Sequence, residues 1–423
     1  FLGGFLGLMM HGLPVAWSMA VAAVGYFLLS GQAMMLPVLP ERIFQGLDSY
    51  ILVAIPMFLL AGEIFSEGGI ARRLVDFANL TVGWIRGGIA QVAVGSCVLY
   101  SGITGVALGE IAALGRIFIP SMVEAGYPPA TAAAIIAAAS IIGPTIPPSL
   151  PIIIYGSVTN VSVGGMFAAA VIPGLLLAAG QMALVWFLSR RLQIPAVRVD
   201  RSPATVAKAV LHALLPIGMP VLILGSILMG VMTPTEASGA AVFYALAVAM
   251  VIYRTVRLND LWPLLGRSTV LSGQLIIIVG AGAAFAWVLG FENVTGRFAT
   301  EVAGWHLGPY GTMLVFNLIF LVLGMFIDPS ASIILFAPIL APAATAVGID
   351  PLHFGVIVIV NLNIGLLTPP LGVSLFAAER IAGCGLTQLI RAVLPFIAVN
   401  IAMLAVISLV PASCLWLPHL LGF

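Results

Sequence analysis

Two short sequences in this chain, Gly143–Pro148 (Gly-Pro-Thr-Ile-Pro-Pro) and Gly365–Pro370 (Gly-Leu-Leu-Thr-Pro-Pro), have the residue types to hold a cation inside an apolar protein. Paired prolines remove two backbone donors and collide with the preceding turn, so a helix that enters either sequence must stop and restart. Carbonyls ahead of the stop lose their helical partners, and in a low-dielectric surrounding they need a cation or water. Sodium meets that need. In the first copy the candidate ligands are Ser101, Gly102 and Thr104 in a turn of small residues, with Gly143, Thr145, Ile146 and Pro148 at the break. In the second they are Asp328 and Ser330 in the turn, with Gly365, Thr368 and Pro370 at the break. The plainer alternative is that each break only kinks a helix for packing.

Charged side chains within apolar stretches are few, and each costs about 2.5–3.5 kcal/mol at the centre of a membrane helix. Glu110 and Asp328 lie in the two turn-bearing segments; Glu63, Glu236, Glu379 and Arg380 lie near the ends of apolar runs. Asp328 is the acid placed for a cation or proton. Glu110 reads equally as a helix-turn acid, and Glu236 as a first-turn acid favoured by the helix dipole. Arg380 can hold an anionic substrate or snorkel to the interface. Asn361 and Asn363, in the last turn before the second break, can offer amides to a substrate.

These residues need a lipid-embedded scaffold. Of 423 residues, 61% are hydrophobic and 7% charged, against about a quarter charged in soluble domains. A net charge of +1 with scattered basic residues excludes a nucleic-acid face. Cys97, Cys384 and Cys414 form no disulfide framework or metal motif. The histidines form no paired cluster, and no Walker loop or GxGxxG is present, so an enzyme is not expected. The run up to residue 30 lacks a basic start and a small-residue cleavage site, so it reads as a first membrane helix rather than a signal peptide.

Continuous apolar spans fall near 13–30, 51–66, 163–189, 209–230, 233–253, 268–290 and 388–412, with broken spans at 128–156 and 352–378. Segments 88–118 and 309–347 are apolar with a polar turn in the middle, which predicts re-entrant hairpins; the alternative is two short spans each. Three loops carry most of the basic residues: Arg72, Arg73 and Arg86; Arg190, Arg191, Arg198, Arg201 and Lys208; and Arg254, Arg257 and Arg267. Two crossings separate each from the next, so all three lie on one side, the cytoplasmic side by the positive-inside rule.

Sliding the chain against itself by 222 residues aligns Gly102 with Gly324, Pro120 with Pro342, Gly126 with Gly348, Pro129 with Pro351, Gly143 with Gly365, and Pro147 and Pro148 with Pro369 and Pro370. Five crossings separate the hairpins, so the second copy is inverted: hairpin one opens to the cytoplasm and hairpin two to the opposite side. The expected fold is an all-α integral membrane protein, an inverted-repeat ion-transporter fold with two re-entrant hairpins and two discontinuous helices. Such folds place substrate and ions where the breaks meet at the midplane.

The strings ALGRIFIPSMVEAGY, IIGPTIPPSLPIIIYG, GVMTPTEAS, LGMFIDPSASIILFAPIL and GIDPLHFGVIVIVNLNIGLLTPPLGVSLF make the chain resemble the large membrane subunit of tripartite ATP-independent periplasmic (TRAP) transporters. The resemblance implies a multi-pass subunit in the bacterial inner membrane that imports small organic acids, such as C4-dicarboxylates or sialic-acid-like sugar acids, with at least two sodium ions. It also implies substrate delivery by a periplasmic binding protein and a small four-helix membrane subunit as partner. The implied motion is of the elevator type: transport repeats at 88–162 and 309–387 move against scaffold helices at 1–87 and 163–308, with a C-terminal helix at 388–423. A passive channel and a proton-coupled anion transporter are the alternatives. Where the family often has Ser-Gly-Ser-Ser this chain has Thr104, Gly105, Val106 and Ala107; its usual Asp-Thr-Thr is Asp328, Pro329 and Ser330, and a common Glu is Asn363.

Overall fold

The computed structural model describes residues 1–194 and 202–423, so Arg198 and Arg201 lie outside the described residues, as do the side chains of Ile70, Ile103, Thr104, Ala204 and Lys208. Among the described residues the regular structure is helical, and eight segments are long and apolar enough to cross a membrane. Six of them are the continuous spans Tyr50–Glu67, Val163–Arg191, Thr205–Leu228, Pro234–Ile252, Leu258–Phe291 and Leu386–Leu409. The other two are the arms of the second hairpin.

Hairpin 1 consists of Gly88–Thr104, a turn at Gly105, and a helical run from Ala107 to Glu124 that carries one π-helical stretch at Ile111–Gly115. Hairpin 2 consists of Gly308–Phe326 and Pro329–Ala346. Arms of 19 and 18 residues reach about 27–29 Å at 1.5 Å per residue. That is enough to cross a bilayer. Each hairpin nevertheless packs its turn end against the interior break of a discontinuous helix, which fixes both as re-entrant. The broken helices are Pro129–Ala139 with Leu150–Thr159, and Pro351–Gly365 with Val373–Ala382, and the Pro147–Pro148 and Pro369–Pro370 bonds are both cis.

The repeat is longer than the aligned motifs. At the same offset of 222, Tyr50–Glu67 falls inside Leu261–Phe291, and Val163–Arg191 falls on Leu386–Leu409. The helices Ile70–Val82 and Val294–Gly304, which the span count misses because charge interrupts their apolar residues, also coincide. The first expected span is a second departure: Val15–Leu29 is preceded by a separate helix, Leu2–Met10, which folds back at Gly12 so that Phe1 packs on Tyr26 and Phe285. Gly12 has φ +87°, a conformation that suits glycine.

The arginine-bearing loops gather on one face. The Arg73 guanidinium lies 3.6 Å from the Tyr253 ring centroid, Arg267 pairs with Glu63 at 2.9 Å and Glu67 at 3.3 Å, and Tyr127 donates to the Gly87 carbonyl at 3.1 Å while meeting Ser189 at 2.7 Å. Exposed ion pairs of this kind add about 0–1 kcal/mol, so their value here is as markers of topology. Within the core, Gln181 donates to the Ala138 carbonyl at 2.9 Å and to Asn400 at 3.0 Å, Asn317 donates to Ser408 at 3.0 Å, and His353 Nε2 meets the Ile407 carbonyl at 2.9 Å. Such buried links contribute about 0.6–2 kcal/mol each inside a membrane. They tie Val163–Arg191 and Leu386–Leu409 to the broken helices.

A methyl group on Gly365 would collide with the Gly324 backbone, whereas one on Gly266 meets nothing within 4 Å. Gly365→Ala is expected to cost about 1–3 kcal/mol by overpacking, and Gly266→Ala to leave stability unchanged or slightly raised. Thermal unfolding of the purified variants in detergent tests this: equal unfolding temperatures would refute the close contact of hairpin 2 with its break.

Candidate functional site

The site forms because each broken helix leaves backbone groups that only a close neighbour can shelter. At break 1 the neighbour is the turn of hairpin 1. Gly105 adopts φ +57°, and a Cβ there would stand 2.8 Å from the Pro148 carbonyl oxygen. Gly102 sits under the Pro220 ring with the Pro147 carbonyl beyond it, so the turn is wedged between the break and the helix Pro203–Leu228. At break 2 the Gly324 and Gly365 backbones touch directly. Two inverted copies of one arrangement thus converge in the interior, each built on glycine because no side chain fits.

The copies differ in what they bring. Thr145 donates its hydroxyl to the Ile141 carbonyl at 2.9 Å and accepts from Asn363 Nδ2 at 3.1 Å, a hydrogen bond that joins break 1 to the helix leading into break 2. Ser101 donates its hydroxyl to the Val98 carbonyl at 2.6 Å, and its own carbonyl accepts the Gly105 amide at 3.2 Å. Ile146 fills the notch over Gly174, leaving only its backbone for ligation, and the Pro148 carbonyl faces the turn. In the second copy Thr368 donates to the Ile364 carbonyl at 2.9 Å, while Pro370 is exposed. Asp328 and Ser330 stand at the tip of hairpin 2, where the Asp328 carboxylate accepts from the Ser330 amide at 2.8 Å and caps Pro329–Ala346. The Thr104 side chain lies outside the described residues.

Glu110 is the residue that the sequence left between two readings. Its side chain is fully buried, its carboxylate presses on Gly143, and the polar group beside it is the Cys97 thiol. An ionised carboxylate costs several kcal/mol in such a place, so the group is either protonated or balanced by a cation. The π-helical stretch Ile111–Gly115 begins at the next residue, a distortion that recurs at functional sites. The signal in the sequence was the Gly143 break itself, which sits 33 residues further on and only meets Glu110 in the fold.

Between the two hairpin tips and the two breaks lies a cavity of about 390 Å³. Its walls include Val106 and Leu108 from hairpin 1, Asp328 and Ser330 from hairpin 2, Pro144 and Leu150 from the first broken helix, and Asn363, Leu366 and Val373 from the second. The remaining wall comes from Leu59 and from Leu271, Gln274, Leu275 and Ile278 of Leu261–Phe291. Of the three substrate candidates only Asn363 reaches it. Asn361 turns to the other side, donating to the Asn317 carbonyl at 2.9 Å and side chain at 2.8 Å, and Arg380 is exposed in the last turn of Val373–Ala382. The arrangement brings both breaks and both hairpin tips around one partly open cavity of a size for a small molecule.

Comparison with known proteins follows from this geometry. In architecture the chain is similar to the Alcanivorax borkumensis YdaH transporter, with a TM-score of 0.65 at 16% identity over 93% of this chain and 90% of that one. It is 41% identical to the C4-dicarboxylate TRAP transporter large permease protein DctM of Pseudomonas aeruginosa over 383 residues, 90% of this chain and 89% of that protein. It is 35% identical to the sialic acid TRAP transporter large permease protein SiaM of Vibrio cholerae, over 99% of this chain and 98% of that protein. The isethionate TRAP transporter permease protein DctMQ of Oleidesulfovibrio alaskensis is also 35% identical, over 97% of this chain but 64% of its own length. Residues 2–413 match the family described as tripartite ATP-independent periplasmic transporter, DctM component, and with paired breaks and hairpins along its whole length the chain belongs to that family of transporter permease subunits rather than to any enzyme class.

Proposed function

We propose that this chain is the large membrane subunit of a sodium-driven importer of small organic acids in the bacterial inner membrane. The observation that carries the reading is the paired shelter of each break by a hairpin turn, with the buried Glu110 carboxylate pressed against the first. Carbonyls released at a break are hard oxygen ligands at the C-terminal ends of helices, where the dipole favours a cation. Site 1 is formed by Ser101, Gly102, Thr104, Gly143, Thr145, Ile146 and Pro148, with Glu110 added as its carboxylate ligand. Site 2 is formed around Gly365, Thr368 and Pro370, with Asp328 and Ser330 from the tip of hairpin 2. Two sites imply at least two sodium ions per cycle.

Organic acids are the substrates because the relatives named for C4-dicarboxylates, sialic acid and 2,3-diketo-L-gulonate all carry a carboxylate ligand. A periplasmic binding protein delivers the substrate and a small membrane subunit completes the scaffold, in keeping with the tripartite family description. The moving body is the two hairpins and two broken helices. The buried hydrogen bonds of Gln181, Asn400, Asn317 and His353 argue that Val163–Arg191 and Leu386–Leu409 travel with it. Leu335 and Ile339 of hairpin 2 pack with Phe285 and Leu289 of the scaffold, and Gly102 of hairpin 1 packs under Pro220, so both hairpins meet helices they would slide against.

In liposomes holding the chain with its small subunit and binding protein, uptake of labelled organic acids is expected to need an inward sodium gradient, and Glu110→Gln to raise the half-saturating sodium concentration at least tenfold. Flux that continues in choline without the binding protein would identify a pore instead; an unchanged sodium dependence would remove Glu110 from the site. For orientation, Arg191→Cys should react with an impermeant maleimide only from the cytoplasmic side and Arg297→Cys only from the periplasmic side. Labelling of both from one side would overturn the topology.

A further inference from the structure

An inverted repeat gives a carrier two routes out of its cavity, one through each copy, and in this chain the two differ in charge. The route toward the face of the arginine-bearing loops starts at Leu108 of hairpin 1 and Val373 of the second broken helix, which both line the cavity. Beyond Leu108 the exposed residues along the hairpin arm are Ala112, Arg116 and Pro120, whereas Glu110, Ile111, Leu114 and Gly115 are buried. Leu108 and Arg116 are eight residues apart. In a plain α-helix that spacing overshoots two turns by about 80°. The π-helical stretch Ile111–Gly115 takes in about one residue more per turn, which brings Arg116 back onto the Leu108 face. Beyond Val373 the exposed residues of its helix are Phe376 and Arg380.

The two faces meet at the arginines. A Cβ on Gly115 would stand 3.2 Å from the Ile381 side chain, so the residue before Arg116 packs on the residue after Arg380. The second copy repeats the juxtaposition: at the offset of 222, Arg116 falls on Pro338 and Arg380 on Val158, and those two residues line one cleft. The inverted mouth therefore has a proline and a valine where this one has two guanidinium groups. Arg267 of the scaffold is held by Glu63 and Glu67, but among the described residues Arg116 and Arg380 enter no ion pair, and Glu379 beside Arg380 pairs with neither. Unpaired guanidinium groups within membrane-embedded elements are retained at a cost. Two on one route favour the passage of an anion and oppose that of a cation.

We propose, on the reading of this chain as an organic-acid importer, that Arg116 and Arg380 form an anion station between the cavity and the cytoplasm, where the carboxylate of the acid is met as it leaves the apolar wall of Leu108, Val373 and Phe376. The pair sets rate and charge selection; the direction of transport is set by the ion gradient. Its ligand is a free carboxylate. A lipid phosphate offers the same oxygen chemistry, and the test separates the two.

Ala112, exposed one turn before Arg116, reports the local charge. The full chain with its small membrane subunit carries Ala112→Cys together with Cys384→Ser, because Cys384 is half-buried four residues after Arg380 while Cys97 and Cys414 are buried. In phosphatidylcholine nanodiscs it is reacted with the anionic sulfonatoethyl and the cationic trimethylammonioethyl methanethiosulfonates, each rate divided by that of a free thiol. The anionic reagent is expected to react at least tenfold faster. Arg116→Gln with Arg380→Gln should bring the ratio to about one, and Arg116→Lys with Arg380→Lys should keep it. No reaction with either reagent would place this face in lipid, and a ratio that the glutamines leave unmoved would remove the arginines from the route; either overturns the inference. So does a preference that vanishes when the nanodiscs include phosphatidylglycerol, which would give the pair to a lipid phosphate. In the uptake assay above, the glutamine pair should slow sodium-driven uptake at least fivefold with the half-saturating sodium concentration unchanged, and an equal rate would also overturn it. A wild-type chain that prefers the anionic reagent yet takes up no organic acid would refute the importer reading and leave the anion route standing.

Discussion

Lipid cannot hydrogen-bond a peptide group, and this one constraint organises the interior of the molecule. A helix interrupted at Gly143–Pro148 or Gly365–Pro370 exposes carbonyls and amides that cost several kcal/mol each if left in hydrocarbon. The fold answers by bringing the turn end of a hairpin against each break so closely that backbone meets backbone, Gly105 at Pro148 and Gly365 at Gly324. That contact sets the depth of both hairpins and forces glycine at the points of approach. It also gathers the ends of eight half-helices in one place. Carbonyl ends and amide ends of helices then lie a few residues apart on either side of each break.

What was legible in the sequence follows from the same physics. Gly102, Gly143, Pro147 and Pro148 recur at a fixed offset because they shape backbone, and backbone shape is what an inverted repeat preserves. The spans, the hairpins and the breaks were therefore readable from spacing alone. The side chains of the site were less so. Asn361 and Asn363 are two residues apart, a rotation of about 200° on a helix, and nothing in a uniformly apolar stretch says which of them faces the cavity; the structure gives Asn363 to the cavity and Asn361 to Asn317. Glu110 was visible as a costly acid, but its meaning depends on meeting Gly143 across the fold. Leu2–Met10 escaped because nine apolar residues are too few to register as a span, and Ile70–Val82 because its charges lower its hydropathy.

The two copies share a backbone and divide the chemistry. At the offset of 222, Glu110 corresponds to Ser332, Thr145 to Leu367, and Asp328 to Val106. Repeat one therefore carries its acid inside the second arm, buried against the break, and repeat two carries its acid at the tip, facing the cavity. Break 1 is buried throughout, whereas Pro370 and Leu371 of break 2 are exposed. On the sodium reading this makes the first ion site the enclosed, charge-balanced one and the second the site in contact with the substrate space.

Coupling then has a physical route. The hydrogen bond from Asn363 to Thr145 joins the helix before break 2 to break 1, and the uncapped start of Leu150–Thr159 follows Pro148 by two residues. On the sodium reading, an ion held by the carbonyls of break 1 would fix the peptide planes through Pro148 and, through Thr145, the position of the Asn363 amide. Any stabilisation that sodium gives to substrate through these shared groups must be returned by substrate to sodium, because coupling free energies between binding sites are reciprocal.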